Sequence, residues 1–510
     1  MCGKYKKLSF NIYITMGGGL MQLVAYGAQD IYLTGNPQIT FFKVVYRRHT
    51  NFSIESIEQT FNGTADFGKK VSCTISRNGD LVHKIYLQTK LPKQDYVHDG
   101  TLKYNGVNIQ NGMLRWVNWV GEKLINYAEI EIGGQRIDKH YGEWLHIWNQ
   151  LSNSASHDEG YQRMVGNITK LTTNRATSTA TDHIEEQVLY IPLQFWFCRN
   201  PGLALPLIAL QYHEVKINVE FEKLSNLLIV SAPNLDDDVE YNPSTAAITP
   251  VGQLNDTSLW VDYIFLDTDE RRRFAQLSHE YLIEQLQFPG EETISTKTNK
   301  IRLNFNHPVK ELVWVVQKKT CTENMQHFNY SDRIDSSPAL SHYATGSKML
   351  QGVIENIVST AGGAESGTRL KLSQNIDTGK NTCDKAKIQL NGQDRFSQRS
   401  GDYFNFVQPY NHHTKTPHTG INVYSFALKP EEHQPSGTCN FSRIDNANLF
   451  LTVTSNTILT GELKLDKNSG VLTENLGATT TAANANVRVY AVNYNVLRIM
   501  SGMGGLAYSN

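Results

Sequence analysis

Three histidines that lie close together, His412, His413 and His418, are the group of side chains with the most evident chemical potential. Imidazole nitrogens are common zinc and copper ligands, so this segment is a candidate metal site. Adjacent residues of a strand point to opposite faces, however, so His412 and His413 would not bind one ion together. We therefore favour a solvated loop here and predict neither a metal site nor a cofactor.

A second group of titratable residues lies near the middle of the chain and consists of Asp267, Asp269, Glu270, Arg271, Arg272 and Arg273. Such a cluster could act as an acid and a base. Neighbouring acidic and basic residues at a predicted helix are more typical of ion pairs and a helix cap. We predict an ion-pair network that holds the two parts of the chain at a fixed angle.

Motifs for phosphate binding and nucleophilic catalysis are missing. The glycine-rich stretches at residues 17–19 and 502–505 lack the lysine and the hydroxyl residue of a phosphate-binding loop, and we interpret them as flexible joints. No G-x-S-x-G elbow occurs, and spacing identifies no trio of serine, histidine and acid. We predict a protein that is not an enzyme, has no catalytic residues and takes no small-molecule substrate.

Asparagine glycosylation is the one modification for which the sequence offers sites. Six N-x-[ST] sequences occur, at Asn51, Asn62, Asn167, Asn255, Asn329 and Asn440. Asn167 and Asn255 fall in long predicted loops, so they are the two candidate glycosylation sites.

Composition excludes several classes of protein. The 510 residues include 48 Lys and Arg against 49 Asp and Glu, and a net charge of -1 gives no positive field to attract nucleic acid directly. Six dispersed cysteines without a C-x-x-C pair are typical of a reducing compartment. No apolar run reaches the ~20 residues that span a bilayer, and the N-terminus does not have the pattern of a secretion signal.

The elements that must position these residues are mostly strands. Alternating or β-branched stretches predict strands at residues 54–61, 71–76, 81–91, 128–132, 188–197, 215–221 and 260–266. Helices are expected only at residues 141–151 and 268–276, the second one capped by Asp267 or Thr268. Because both helices are short, sheets must supply the core.

Three short blocks recur in the same order along the chain. IEQ at 57–59 recurs at 283–285, AEI at 128–130 resembles AKI at 386–388, and VKINV at 215–219 has a counterpart in LFLTV at 449–453. Collinear recurrence indicates an old duplication. Polar insertions at 152–181 and 331–382 account for the different spacings, and we expect them to be surface loops.

The predicted fold is all-β, with two tandem antiparallel eight-stranded jelly-roll sandwiches and a few short helices. The expected organisation is an N-terminal arm over residues 1–30, a first jelly roll over 31–267 and a second over 268–510. Two other functions for such a fold stay open on this reasoning. One is a carbohydrate-binding or carbohydrate-cleaving jelly roll that uses Trp116, Trp119, Trp144 and Trp148, although core positions explain these residues more simply; the other is a receptor-binding spike or fibre.

Three long strings resemble the major capsid proteins of nucleocytoplasmic large DNA viruses, which have a double jelly roll. They are the opening run, with GGGLMQL at 17–23 and YGAQD, LTGNP and TFFK up to residue 43; the join, LDTDERRRFA at 266–275; and the ending, NYNVLR at 493–498 with SGMGGLAY at 501–508. The resemblance covers the chain from about Met16 onward.

The resemblance implies a structural, late-expressed protein that forms a homotrimer. Such pseudo-hexagonal capsomers tile an icosahedral capsid over an internal membrane, in virions assembled in the host cytoplasm. The partners it implies are further copies of the chain, with minor capsid proteins and the membrane at the inner face. Within the N-terminal arm we assign the apolar residues Leu20, Met21, Leu23 and Val24 to contacts on that inward face.

Overall fold

A computed structural model describes residues 21, 23–25, 27–98, 102–109, 114–172, 181–230, 250–334, 352–354, 370–372, 379–460, 462–465, 472–475 and 481–508. The chain divides into two units, Met1–Asn51 and Phe52–Asn510. The described part of the first unit contains the short helix α1, Ile31–Thr34, and exposes most of its side chains. None of the described helices is long and apolar enough to cross a membrane.

The second unit begins with a first half rich in strands. Its strands are β1 Phe52–Gln59, β2 Lys70–Thr74, β3 Leu81–Leu91, β4 Gln94–His98, β5 Leu102–Tyr104, β6 Val107–Ile109, β7 Leu114–Trp116, β8 Ile125–Ile132, β9 Gln135–Tyr141, β10 Thr181–Ile184, β11 Gln187–Pro192, β12 Leu205–Pro206, β13 Val215–Phe221, β14 Leu228–Val230 and β15 Asn255–Leu266.

The second half has the same character. Its strands are β16 His279–Gln287, β17 Glu291–Ile294, β18 Thr298–Arg302, β19 Pro308–Lys318, β20 Gly352–Ile354, β21 Leu370–Leu372, β22 Cys383–Leu390, β23 Gln393–Asp394, β24 Arg399–Ser400, β25 Ile421–Ser425, β26 Cys439–Asn440, β27 Ala447–Val453, β28 Leu459–Thr460, β29 Glu462–Leu465, β30 Leu472–Asn475, β31 Thr481–Ala482, β32 Ala485–Met500 and β33 Met503–Leu506.

Helices are short and lie between strands. They are α2 Val120–Leu124, α3 Gly142–Ser152, α4 Asp158–Met164, α5 Thr169–Thr172, α6 Trp196–Arg199, α7 Thr268–Gln276, α8 Lys319–Glu323 and α9 Gln408–His412, with a π-helical turn at Tyr403–Val407 immediately before α9. Single 3-10 turns occur at Pro201–Leu203, Leu224–Asn226, Phe441–Arg443 and Ser455–Ile458.

The two halves have the same sheet topology. In the first half the strand order is β1-β15-β3-β11 in one sheet and β2-β13-β8-β9 in the other; in the second half it is β16-β32-β19-β25 and β18-β27-β22-β23. All of these pairings are antiparallel. The recurring sequence blocks lie on strands that occupy matching positions, so the predicted double jelly roll is confirmed.

Equivalent hairpin turns reinforce the correspondence between the halves. Gly133 and Gly134, which join β8 to β9, have φ of 59° and 82°, and Asn391 and Gly392, which join β22 to β23, have φ of 49° and 83°. Two successive residues with positive φ make the type I′ turn whose twist matches a tight hairpin, and Gly and Asn tolerate it best. The same local chemistry therefore closes the same hairpin twice.

Each half has its own apolar core. Inward residues of β3, β8 and β13, such as Leu87, Ile130 and Ile217, belong to the first core. Trp314, Leu449 and Val489 belong to the second. Alternation along a strand sends every second side chain inward, which is why these strands could be recognised from sequence.

Local differences from the sequence predictions have physical causes. The stretch predicted as one strand at 188–197 leaves the sheet after Pro192 and ends in helix α6, because an apolar run does not by itself distinguish a strand from a buried helix. The segment predicted as a surface loop at 152–181 includes helices α4 and α5, and it buries Val165 and Leu171. Most of the second insertion, 331–382, lies outside the described residues.

Candidate functional site

Helix α3 belongs to the first half but packs against the second. It starts at Gly142, where a Cβ atom would lie 2.2 Å from the carbonyl oxygen of Ile125, so only glycine allows this close approach to the end of α2. Leu145 points into the first core. The other apolar side chains of the helix, Trp144, Ile147, Trp148 and Leu151, belong to a separate cluster with residues of the second half.

The surface that receives α3 is the outer face of the sheet β16-β32-β19-β25. Val313 and Val315 of β19, Ile421 and Val423 of β25, and Tyr490 and Val492 of β32 supply it. These residues alternate with the inward side chains of the second core, such as Trp314 and Val489. Strands β19 and β32 thus contact the second core with one face and the junction between the halves with the other.

A buried polar network fixes the register of this junction. The carboxylate of Glu143, in the first turn of α3, accepts hydrogen bonds from Tyr330 at 2.9 Å and from Tyr490, and pairs with Arg488 at 2.8 Å. The nearby Glu143 carboxylate raises the pKa of Arg488, while burial raises the pKa values of Tyr330 and Tyr490 well above their usual range. One acidic side chain of the first half therefore binds three polar side chains of the second.

A second ion pair crosses the junction near Trp148 of α3. Arg199 of α6 donates to Glu284 of β16 at 2.9 Å, and Lys310 of β19, itself fully buried, pairs with the same carboxylate at 2.7 Å. The Arg199 guanidinium also lies 3.9 Å above the Trp148 ring, in a cation–π arrangement. The cavity beside these residues, lined also by Trp144, measures about 10 Å³ and holds one water molecule at most.

A third polar cluster is buried within the first half beneath α3. Nδ1 of His146 lies 2.6 Å from Oε2 of Glu122, and the hydroxyl of Tyr161 donates to Oε1 of Glu122 at 2.8 Å. Burial raises the pKa of Glu122 to about 8 and lowers the pKa of His146 to about 3. At neutral pH the buried pair is therefore uncharged, with a protonated carboxyl group donating to a neutral imidazole.

The histidine segment does not form the predicted solvated loop. The side chain of His413 is fully buried, with Nε2 3.0 Å from Glu311 and Nδ1 2.9 Å from Glu431. These two carboxylates raise its pKa to about 9 against the opposing effect of burial. His412 instead bonds to the Leu428 carbonyl oxygen at 2.9 Å. The described residues contain no group of three or more metal-ligating side chains.

The join between the halves is helical, as predicted, but its charged residues do not form the predicted ion pairs with one another. Helix α7 spans Thr268–Gln276, with Asp267 as its N-cap. Within the described structure, no ion pair joins two of the six charged residues at 267–273, so the predicted network among them is wrong. Arg271 instead donates to Asp80 at 2.7 Å, and Asp80 also accepts from the backbone N–H of Leu266.

The other residues singled out from the sequence lie in different surroundings. Trp116, Trp119, Trp144 and Trp148 are buried, so they are core residues and form no exposed sugar platform. Asn167 is fully buried, which disfavours it as a glycosylation site, whereas Asn255 is exposed at the start of β15. Met21, Leu23 and Val24 are exposed, and Leu20 lies outside the described residues.

Comparison with known proteins identifies the double jelly roll. The family described as "Major capsid protein N-terminus" matches residues 40–267, and "Large eukaryotic DNA virus major capsid protein" matches residues 270–505. The chain belongs to the major capsid proteins of large eukaryotic DNA viruses. Like that family, this capsid protein is structural, is located in the virion capsid and is not an enzyme.

Individual relatives match more than nine tenths of this capsid protein. It is 50% identical to the major capsid protein of Phaeocystis pouchetii virus and 46% identical to that of Paramecium bursaria Chlorella virus 1; each alignment covers 97% of this chain and 100% of the relative. The solved capsid of the Chlorella virus (PBCV-1) has a TM-score of 0.63 at 40% identity, covering 92% of this chain and 100% of that one. The Faustovirus major capsid protein, at 14% identity, shares the fold with a TM-score of 0.64, covering 94% of this chain and 96% of that one.

Proposed function

We propose that this major capsid protein forms homotrimers that act as pseudo-hexagonal capsomers of an icosahedral shell. The observation that carries the proposal is the matching topology of the two halves together with their tightly packed junction. Three copies of a duplicated chain place six similar sandwiches around one axis, so a threefold particle has a nearly sixfold outline that tiles a surface. The junction at α3 supplies the fixed angle between sandwiches that such a ring needs.

The charge of the chain is compatible with dense packing. A net charge of -1 leaves little repulsion between copies at close range. Permanent contacts of this kind bury about 2,000 Å² or more, from extended surfaces that need no reactive group.

The inner face of the shell is where we place the N-terminal segment. The proposed organisation is an N-terminal arm over residues 1–30, a first jelly roll over 31–267 and a second jelly roll over 268–510. Exposed Met21, Leu23 and Val24 support contacts of the arm with minor capsid proteins or with an internal membrane beneath the shell. Deletion of residues 1–30 should abolish normal shell assembly, and shells of normal form from the truncated chain would contradict this role.

Assembly in the host cytoplasm is the remaining part of the proposal. Among the described cysteines, Cys73, Cys198, Cys383 and Cys439 are free, as expected in a reducing compartment. On the outer surface, exposed Asn255 is the better of the two candidate glycosylation sites. Intact-mass measurement tests this: added hexose mass that disappears in Asn255→Gln supports it, and a bare-chain mass contradicts it.

Sedimentation of the purified protein tests the trimer. The proposal predicts a particle of three chains of 57.6 kDa each. A single chain at micromolar concentration, or a particle of two or four chains, would contradict it.

A further inference from the structure

Among the residues that the structure describes, the contact between the halves has a counterpart whose two surfaces do not meet. Inside the chain, a helix of the first half, α3, covers the outer face of the sheet β16-β32-β19-β25. The topologically matching sheet of the first half is β1-β15-β3-β11. The matching helical segment of the second half comprises the turn Tyr403–Val407 and α9, because both helical segments come after the hairpin closed by a type I′ turn.

The helical segment of the second half is attached on its inner side and open on its outer side. Phe404 packs into the second core against Trp314, with 5.1 Å between ring centroids, and the Asn405 side chain donates to the Ile421 carbonyl at 2.8 Å. On the other side Val407 is 44% exposed and Tyr410 is 80% exposed. Residues three or four apart share a helix face, so these two side chains form one apolar ridge.

The sheet of the first half presents an aromatic strip on its outer face. Tyr86 of β3 and Trp260 of β15 are paired across the strands and stack with their planes 3° apart, and the Tyr190 ring of β11 lies 6.2 Å from Tyr86. Trp260 alternates with Leu259 and Val261, which face the core. Tyr190 remains 40% exposed.

Opposite charges accompany the two apolar surfaces. Asp402 is exposed at the start of the helical segment, and Lys84 is exposed on β3, on the same face as Tyr86. In the intrachain junction an acidic residue in the first turn of the helix, Glu143, likewise pairs with a basic residue, Arg488, of the opposing sheet. The two open surfaces therefore resemble the junction in both apolar character and charge.

We infer that the ridge of Val407 and Tyr410 docks on the Tyr86–Trp260–Tyr190 strip of a second copy of this chain. The contact repeats between chains the packing that α3 makes within the chain. Because the ridge and the strip are different surfaces, the contact is head-to-tail, and three such contacts close a ring in which all six helix-on-sheet junctions are similar. This inference rests on the proposed trimer and specifies which surfaces form it.

Substituting one surface at a time tests the pairing in the full-length chain. Tyr410→Asp places a charge on the ridge and Tyr190→Asp places one on the strip. Each should raise the dissociation constant of the ring by about 30-fold or more, the effect of losing a central aromatic contact. Tyr212→Asp, at a tyrosine 75% exposed and outside both surfaces, is the matched control and should leave the three-chain particle intact.

A mixing experiment distinguishes a head-to-tail contact from other geometries. An equimolar mixture of Tyr410→Asp and Tyr190→Asp chains keeps one intact ridge and one intact strip, so mass photometry should show two-chain particles containing one chain of each kind. Unchanged far-ultraviolet circular dichroism verifies folding; if either aspartate variant unfolds, Tyr410→Ser and Tyr190→Ser replace the pair.

The outcomes separate this inference from the proposed function. Three-chain particles that persist in either variant overturn the surface pairing and leave the trimer in place. A wild-type protein that stays a single chain overturns both.

Discussion

Arg488 of the last long strand lies 2.8 Å from Glu143 in the first turn of α3, across the junction between the two halves. The two residues are 345 positions apart in the sequence. The same carboxylate accepts from Tyr330 and Tyr490. Both charged side chains are largely removed from water. Loss of the Glu143 carboxylate would leave Tyr330 and Tyr490 without their acceptor, and Arg488 would keep only the half-exposed Glu291 and the amide of Gln317.

Removal of the Glu143 carboxylate should therefore destabilise the whole protein. We expect Glu143→Ala to lower the free energy of unfolding by about 3 kcal/mol, in the range for breaking a buried ion pair. Urea denaturation followed by tryptophan fluorescence measures it. Glu159→Ala, which breaks the exposed Glu159–Arg163 pair, is the control and should change little; equal effects of the two substitutions would contradict the role given to Glu143.

The packing of α3 makes an independent prediction. Trp144 is fully buried in the cluster between the halves, so Trp144→Ala should cost about 3–5 kcal/mol through lost burial and a residual cavity. Hydrogen exchange should accelerate on both sides of the junction, in α3 and in the facing strands β19 and β25. Acceleration confined to the first half would show that the helix does not hold the second.

Because of His413, the free energy of unfolding should depend on pH in the neutral to alkaline range. Its pKa in the folded chain is about 9, above the ordinary value of 6.5, so its contribution is fully present below pH 6.5 and is lost as pH rises through 9. The melting temperature of His413→Gln should fall well below that of the wild type at pH 6.5 and approach it at pH 10. The adjacent His412→Gln is the control; a gap for His413→Gln that does not change with pH would contradict the assignment.

Glu122 makes stability depend on pH with the opposite sign to a carboxylate whose pKa is lowered by folding. Its pKa is raised from 4.5 to about 8, so the folded state is favoured below pH 4.5 and loses stability as pH rises through 8. Glu122→Gln keeps the size and hydrogen-bonding groups without the charge. We expect the variant to melt higher than the wild type at pH 9 and at the same temperature near pH 4.5, as followed by calorimetry; a variant less stable at pH 9 would show that the ionised carboxylate is favoured.

Helix caps and the alternation of apolar residues are visible in the sequence, and they predict the elements whose bounds depend on neighbouring residues. Helix α7 begins at the capping residue Asp267 and has the predicted bounds, and β3 also has the predicted bounds because its buried side chains alternate from Ile85 to Leu91. The collinear blocks at 57–59 and 283–285 predict the duplication because both lie on the strand that pairs with the last long strand of its half.

Contacts between distant parts of the chain leave no comparable signal. The histidine segment looks like a solvated loop, yet His413 is buried because Glu311 and Glu431, from two other segments, supply both of its partners. Arg271 has three acidic neighbours in sequence but pairs with Asp80. The partners of α3 likewise come from β19, β25 and β32. Glu143 and Trp144 were recognisable only as members of an amphipathic helix, and nothing local indicated which sheet they would face.

An electron cryomicroscopy reconstruction of the purified particle tests the central claim most directly. We predict three chains around one axis and six sandwiches in a hexagonal outline. In each contact between chains, Tyr410 of one copy should lie on the Tyr86–Trp260–Tyr190 strip of the next. Particles in which the sandwiches do not surround a threefold axis would contradict the account.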